Sequence, residues 1–168
     1  DSNGFIYDPK GIDADKLAYL MELKNTRRGR IVEYAEEFGC EYFEGEKPWK
    51  IPCDVALPCA VQNELDEEDA GMLISNGCKL VAEGANMPTT PGAISALQEN
   101  GVLYAPGKAT NAGGVAVSGL EMSQNSARLY WTREEVEKRL KVIMQKIHEQ
   151  CIEYGKNADG TVDYLKGA

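Results

Sequence analysis

The sequence predicts an α/β fold: a parallel sheet with helices on its faces, followed by a helical segment. Three observations predict it. Short apolar runs alternate with helix-compatible stretches in the order strand, helix, strand, helix, strand between Cys53 and Ala105, an order that requires crossover connections and therefore parallel pairing. Each run ends in small polar residues, namely Ala60-Val61-Gln62-Asn63, Gly84-Ala85-Asn86 and Asn111-Ala112-Gly113-Gly114. From the last of these onward the pattern is helical to about Tyr154. At 168 residues and 43% hydrophobic content the chain is long enough to bury one core, so a single domain over 1–168 is expected.

Asp1 to Gly4 reads as a turn after a strand whose body is missing, and Phe5-Ile6-Tyr7 as a short extension stopped by Asp8-Pro9. Asp13 is placed to cap a helix carrying Leu17, Leu20 and Met21 at helical spacing. Gly29 weakens that pattern, which resumes with Ile31, Tyr34, Ala35 and Phe38 and stops at Gly39, a C-terminal cap. Lys24, Arg27 and Arg30 share one face if the helix runs through them; equally, they form a basic rim near the Asp1-Ser2 turn. Cys40 to Lys50 reads as a loop marked by Gly45 and Pro48, with Trp49 tucked into the core.

Cys53 to Ala60 is the first strand of the alternating series, with Pro58 near its end. Asp66 caps the next helix, whose first turn is acidic and suits the positive end of the helix dipole, and Asn76-Gly77 closes it. Lys79 to Ala82 is the second strand. Thr90 caps a helix with Pro91 in its first turn, where a missing N–H costs little. Asn100-Gly101 ends it and Val102 to Ala105 make the third strand. A helix through Met122 and Leu129 to Trp131 follows, then one opened by a Thr132/Glu135 capping box, with Val136, Leu140, Ile143, Ile147 and Cys151 on one face. His148 adjoins that stripe as a structural or surface residue, and Gly155 to Gly160 is a polar loop.

Composition excludes several functions. The net charge of −9 argues against nucleic-acid binding by the surface at large, which needs an excess of Lys and Arg. No apolar run has bilayer-spanning length and no signal segment opens the chain, so neither a membrane nor export is expected and a cytoplasmic location is. Five cysteines without a C-x-x-C pair and a single histidine, His148, argue against a disulfide framework and a metal site. A turn at the start and an uncompleted element at Gly167-Ala168 suggest a piece of a longer protein.

The stretch Gly107 to Asn125, GKATNAGGVAVSGLEMSQN, lies where a strand hands over to a helix. Gly113, Gly114, Ala116, Ser118 and Gly119 leave the first turns without side-chain bulk, which serves a flat ligand or tight packing against a neighbouring element. In a parallel sheet the three strand-end segments converge on one edge, which favours a cleft. Amides such as Asn86 and Asn111 donate and accept, and so suit ribose hydroxyls or a carboxamide.

The segments ALPCAVQNELD (56 to 66), AEGANMPTT (82 to 90) and APGKATNAGGVAVSGLEMSQN (105 to 125) resemble the cofactor-binding domain of hexameric glutamate dehydrogenases. The resemblance implies a Rossmann-like sheet, here lacking its first strand and glycine-rich phosphate turn, so that 1–168 is a partial NAD(P)-binding domain with a helical segment from about 111 onward. It implies reversible oxidative deamination of L-glutamate to 2-oxoglutarate and ammonia, a nicotinamide cofactor and a homo-hexamer. Gly84, Ala85 and Asn86 would line the nicotinamide ribose, Ala60 and Gln62 would approach from the adjoining strand, and Asn111 would face the carboxamide. Val115 and Ser118 would touch substrate. Asp1 and Ser2 resemble the end of the strand that reads the adenosine ribose, and Lys24, Arg27 and Arg30 resemble the basic positions of NADP-preferring members, which favours NADP over NAD. Val61 and Val117 stand where the family more often has threonine, and Thr110 where it has alanine or serine.

No catalytic residue falls within 1–168 on this resemblance, since the catalytic lysine and aspartate belong to a substrate domain upstream, and the piece alone is expected to be inactive. The alternative is a stand-alone nucleotide-binding or regulatory module; a third reading makes the Thr132 to Tyr154 helix an assembly surface.

Overall fold

The computed structural model describes residues 1–168, and they form two compact units, Asp1–Lys50 and Ile51–Ala168. In the first, β1 (Gly4–Tyr7) pairs antiparallel with β2 (Glu41–Glu44), Phe5 opposite Phe43. Their rings stack at 4.6 Å. The expected loop over Cys40 to Lys50 thus contains a strand: Tyr42 and Phe43 are strong strand formers, and β1 supplies the ladder partner that local sequence does not show. Trp49 is buried as expected, in a short 3₁₀ turn, Pro48–Lys50.

Helix α1 (Ala14–Met21) begins at Asp13, whose carboxylate accepts from Lys16 N at 3.0 Å. It runs into one π-helical turn, Glu22–Thr26, and the chain then reverses at Arg28, where φ is 55°. Helix α2 (Val32–Phe38) follows and ends at Gly39 with φ 65°. Tyr34 is fully buried between Tyr19 and Phe38. Its hydroxyl donates to Asp8 at 2.9 Å, and Lys16 Nζ pairs with the same carboxylate at 2.6 Å. Burial, then the hydrogen bond to Asp8, pushes the Tyr34 phenol well above its ordinary range, while Lys16 and Tyr34 hold the Asp8 carboxyl below its own.

In the second unit β3 (Val55–Ala56), β4 (Leu80–Ala82) and β5 (Leu103–Ala105) form a parallel sheet in that order. The alternation read from the sequence therefore yields the expected α/β architecture, although β3 keeps only two residues of the run from Cys53 to Ala60. Helices α3 (Glu67–Ser75) and α4 (Pro91–Glu99) make the crossovers. Asp66 forms a capping box with Asp69, and Thr90 caps α4, its hydroxyl accepting from Ala93 N. Leu65, Leu73, Val81 and Leu97 are fully excluded from solvent, each contributing about 1.5–3 kcal/mol of transfer free energy.

After β5 come a single turn, α5 (Gly107–Thr110), and α6 (Ala112–Ala127), which stops at Arg128 in the left-handed region, short of the predicted Trp131. Helix α7 (Arg133–Gly155) opens with the Thr132/Glu135 box. It carries Met144, Ile147 and Cys151 toward Leu80, Ala82 and Leu103, lining an open apolar pocket of about 360 Å³. Helix α8 (Tyr164–Gly167) lies against α7 through bare backbone: a side chain at Gly155 would meet Asp163 O, and one at Gly167 would meet Cys151 O. His148 stacks on Tyr164 at 5.8 Å, the structural role expected of it. No helix is long and apolar enough to cross a membrane.

Candidate functional site

Parallel pairing puts the C-terminal ends of β3, β4 and β5 on one edge, and the segments that follow them meet there. Cys59 and Ala60, then Gly84, Ala85 and Asn86, then Asn111 and Val115 line one cleft of about 520 Å³. A second, adjoining cleft of about 740 Å³ shares Asn86 and Asn111 and adds Gln62, Met87 and Lys108. Of the residues expected in the cofactor and substrate site, the structure brings together Ala60, Gly84, Ala85, Asn86, Asn111 and Val115. Gln62 lies in the adjoining cleft. Ser118 stands one turn further along α6 and lines neither cleft; its hydroxyl donates to Gly114 O at 3.4 Å.

Glu83, at the end of β4, builds the cleft and was not singled out by the sequence. Its side chain is buried. One carboxylate oxygen accepts from Gly107 N at 2.6 Å and the other from Thr89 N at 3.2 Å, so it joins the turn after β5 to the loop before α4. Tyr104 also hydrogen-bonds to it, and burial followed by this contact raises the Tyr104 phenol far above its usual range. The Glu83 carbonyl accepts from the Thr110 hydroxyl, which also donates to Pro106 O at 3.0 Å. A carboxylate between Ala82 and Gly84, at the end of an apolar run, was the available signal.

The cleft walls need small residues where they approach each other. A Cβ on Gly84 would strike Cys59 Sγ, and one on Gly107 would stand 2.7 Å from Ala85 O. Gly84 N donates to Pro58 O at 2.8 Å, tying the β4 loop to the β3 loop. Asn111 Nδ2 donates to Ala85 O and to Asn86 Oδ1, each at 3.0 Å. With both amide hydrogens engaged, its Oδ1 is the atom that can accept from a ligand. A carboxamide NH₂ meets that requirement.

Of the glycines of α6, Gly113 faces Leu140 and Met144 of α7, whereas Gly114 and Gly119 do not serve packing within this chain. A Cβ on Gly114 or Gly119 would meet nothing within 4 Å, no residue of the helix is buried, and Val115 is 73% exposed. The face that the sequence left open between packing and ligand is therefore divided: Gly113 lies toward α7, and the stretch with Gly114, Val115 and Gly119 is open surface beside the cleft.

The second predicted set lies in residues 1–50. Asp1 accepts from Lys24 Nζ and from Ile31 N, both at 3.1 Å, and Lys24 Nζ also donates to Gly29 O at 3.0 Å. Arg30 Nη1 donates to the Ser2 hydroxyl at 3.2 Å. Arg27 lies apart, with Nε 3.7 Å from Glu22 and its guanidinium 4.8 Å over the Tyr19 ring. Tyr19 is the main cause that keeps it firmly cationic. The reading of Lys24, Arg27 and Arg30 as one helical face is corrected here: the π-helical turn and the reversal at Arg28 break the i, i+3 spacing on which a shared face depends. The rim reading describes Lys24 and Arg30, which hold the Asp1-Ser2 turn.

Comparison with known proteins agrees with this geometry. The family model described as glutamate/leucine/phenylalanine/valine dehydrogenase matches residues 1–168. A glutamate dehydrogenase of Bacteroides thetaiotaomicron is 62% identical over the whole chain, which covers 38% of that protein. An NAD(P)-specific glutamate dehydrogenase of Xylanibacter ruminicola is 60% identical and an NADP-specific one of Haemophilus influenzae 57%, each over the whole chain and 38% of the relative. The solved structure of Plasmodium falciparum glutamate dehydrogenase 2 superimposes with a TM-score of 0.92 at 50% identity, covering 99% of this chain and 37% of that one. The chain spans about two fifths of the length of these relatives, 38% for each of the three curated ones. With a match from its first residue to its last, the chain belongs to the glutamate/leucine/phenylalanine/valine dehydrogenase family.

Proposed function

We propose that residues 1–168 are part of the NAD(P)-binding domain of an NADP-dependent glutamate dehydrogenase, an enzyme that oxidatively deaminates L-glutamate to 2-oxoglutarate and ammonia. The observation that carries this reading is the cleft at the sheet edge, where three strand-end loops meet around Asn111. Its donor set fits the neutral end of a dinucleotide: small residues allow a flat ring to approach the backbone, and Asn111 Oδ1 is left to accept from a carboxamide. Gly84, Ala85 and Asn86 line the side for the ribose, with Ala60 and Gln62 opposite. When bound, the nicotinamide supplies the hydride acceptor. The chain's own residues orient the ring, exclude water from one face and fix the loops through Glu83.

Lys24 and Arg30, with Asp1 and Ser2, suit the other end of the cofactor. Arg30 retains further donors beyond its bond to Ser2, and a planar guanidinium matches a 2′-phosphate. This favours NADP over NAD, in keeping with the several relatives named NADP-specific. Arg27, turned to Tyr19, contributes less. Val115 and Ser118 on α6 are assigned to the substrate side, Ser118 as a donor to its side-chain carboxylate. No catalytic acid or base is assigned within 1–168, and hydride transfer requires cofactor and substrate to be held in contact. The chain by itself is therefore inactive, and the working enzyme is a cytoplasmic homo-hexamer.

The test has two arms. The 168-residue chain, assayed with glutamate and NADP⁺, shows no turnover; turnover would contradict the assignment of catalysis to the rest of the enzyme. The whole enzyme carrying this chain oxidises glutamate, and Asn111→Ala raises its KM for NADP⁺ about tenfold, the loss of one good hydrogen bond to ligand. An unchanged KM would remove Asn111 from the cofactor site.

A further inference from the structure

We propose that Cys53 and Cys78 form a modification site for peroxides, and that oxidation closes a disulfide between the entrances of β3 and β4. Val55 pairs with Leu80 across the parallel ladder, and each cysteine stands two residues before its strand's member of that pair. Both precede their strands, and Cys78 Sγ lies 3.8 Å from the carbonyl oxygen of Asp54, the residue after Cys53. Neighbouring strands lie about 4.8 Å apart, within the roughly 4.4–6.8 Å of Cα separation that a disulfide spans. The Cys53 thiol neighbours that of Cys78 closely enough for Cys78 to bear on its protonation. The remaining cysteines stand elsewhere: Cys59 lies against Gly84 at the other end of β3, Cys151 lies on α7, and Cys40 lies in the first unit.

The two sulfurs have different roles. Cys53 is partly exposed and receives the oxidant; Cys78 is buried, its Sγ 3.4 Å from Leu80 O, and resolves it. The Cys53 thiolate attacks one peroxide oxygen, the O–O bond breaks, and the departing oxygen takes up protons to leave as water, giving a sulfenic acid. Cys78 Sγ then attacks Cys53 Sγ, the S–O bond breaks and a second water leaves. Two thiols and one peroxide become one disulfide and two waters; sulfur is oxidised and oxygen reduced. Burial, then the neighbouring Cys78, pushes the Cys53 thiol up to about 11, so the attacking thiolate is scarce at neutral pH and grows about tenfold per pH unit. The bond would tether two strands whose far ends carry the Pro58 and Gly84 walls of the cleft, but its formation does not depend on which ligand the cleft takes.

The experiment exposes the whole enzyme carrying this chain to hydrogen peroxide, blocks remaining thiols with iodoacetamide and cleaves after lysine and before aspartate, which separates Cys40 from Cys53 at Lys50, Cys53 from Cys59 at Asp54, Cys59 from Cys78 at Asp66 and Asp69, and Cys78 from Cys151 at Lys79. The expected product has lost two hydrogens, links the Cys53 and Cys78 peptides, and reverts with dithiothreitol. It forms about tenfold faster for each pH unit between 7 and 10, and it is absent from Cys53→Ser and from Cys78→Ala. Alkylation of both Cys53 and Cys78 after exposure that fully oxidises Cys59 would overturn the proposal. So would linkage of either to a different cysteine, or a rate that does not change with pH, readouts taken on the unmutated chain.

Discussion

Each unit gathers a polar cluster around one carboxylate, and the two carboxylates do different work. Asp1 accepts from Lys24 and from the backbone of Asn3 and Ile31, with 13% of its side chain in solvent. Glu83 is 4% exposed and accepts from the backbone of Thr89 and Gly107 and from Tyr104. With 40% of the Lys24 side chain in solvent, the Asp1–Lys24 pair is screened and adjustable, so that cluster governs charge. In a dry site, every hydrogen bond to a carboxylate is strong and every lost one is expensive, so the Glu83 cluster governs shape. Substitutions that follow this division should separate loss of fold from loss of cofactor preference.

The largest effect is expected at Glu83. In Glu83→Gln one acceptor becomes an NH₂ facing a backbone N–H, which should cost about 2–4 kcal/mol, read as a lower urea midpoint at unchanged m-value. An unaltered midpoint would mean that the carboxylate does not hold the two loops together. Gly84→Ala comes next, at about 1–3 kcal/mol, because its new methyl group overlaps Cys59 Sγ. Adding Cys59→Ala should recover part of that loss; a strictly additive double variant would show that the two walls are not in contact.

These two residues also show how far the sequence could be read. The caps at Asp13, Asp66, Thr90 and Thr132 and the stop at Gly39 are local: each uses a side chain or backbone conformation within a few residues. So is the order of β3, β4 and β5. The cleft was legible as a convergence because parallel topology dictates it, and Asn111 followed from its place after β5. Glu83 was not, since its partners are 6 and 24 residues away and appear only once the loops are folded. Strand β2 was missed for the same reason, its pairing with β1 being non-local. At Arg27 the helical spacing misled, because the π-helical turn at Glu22–Thr26, which buries Leu23, and the reversal at Arg28 interrupt the α-helical period.

Charge reversal in the first unit should be milder and selective. In the whole enzyme, Lys24→Glu or Arg30→Glu should weaken NADPH about tenfold, one charge-assisted contact, and leave NADH nearly unchanged; Arg27→Ala should alter neither by more than about twofold. Equal losses for both cofactors would dissociate the Asp1 cluster from the 2′-phosphate. The smallest expected effect is on acid stability. Lys16 and Tyr34 depress the Asp8 carboxyl below its unfolded value, so its stabilisation is complete above about pH 5 and is lost as the pH falls through the lower, folded value. Asp8→Asn should flatten the acid limb of a melting-temperature profile below about pH 4; an unchanged limb would place the loss elsewhere.

The division of labour is tested most directly by one set of dissociation constants, measured on the whole enzyme for NADPH and for 2′-phospho-ADP-ribose, which keeps the phosphate but lacks the nicotinamide. Asn111→Ala should weaken NADPH about tenfold and leave the shorter ligand unchanged. Arg30→Glu should weaken both alike. If Asn111→Ala weakened both ligands equally, or neither, the cleft around Asn111 would not be the nicotinamide site.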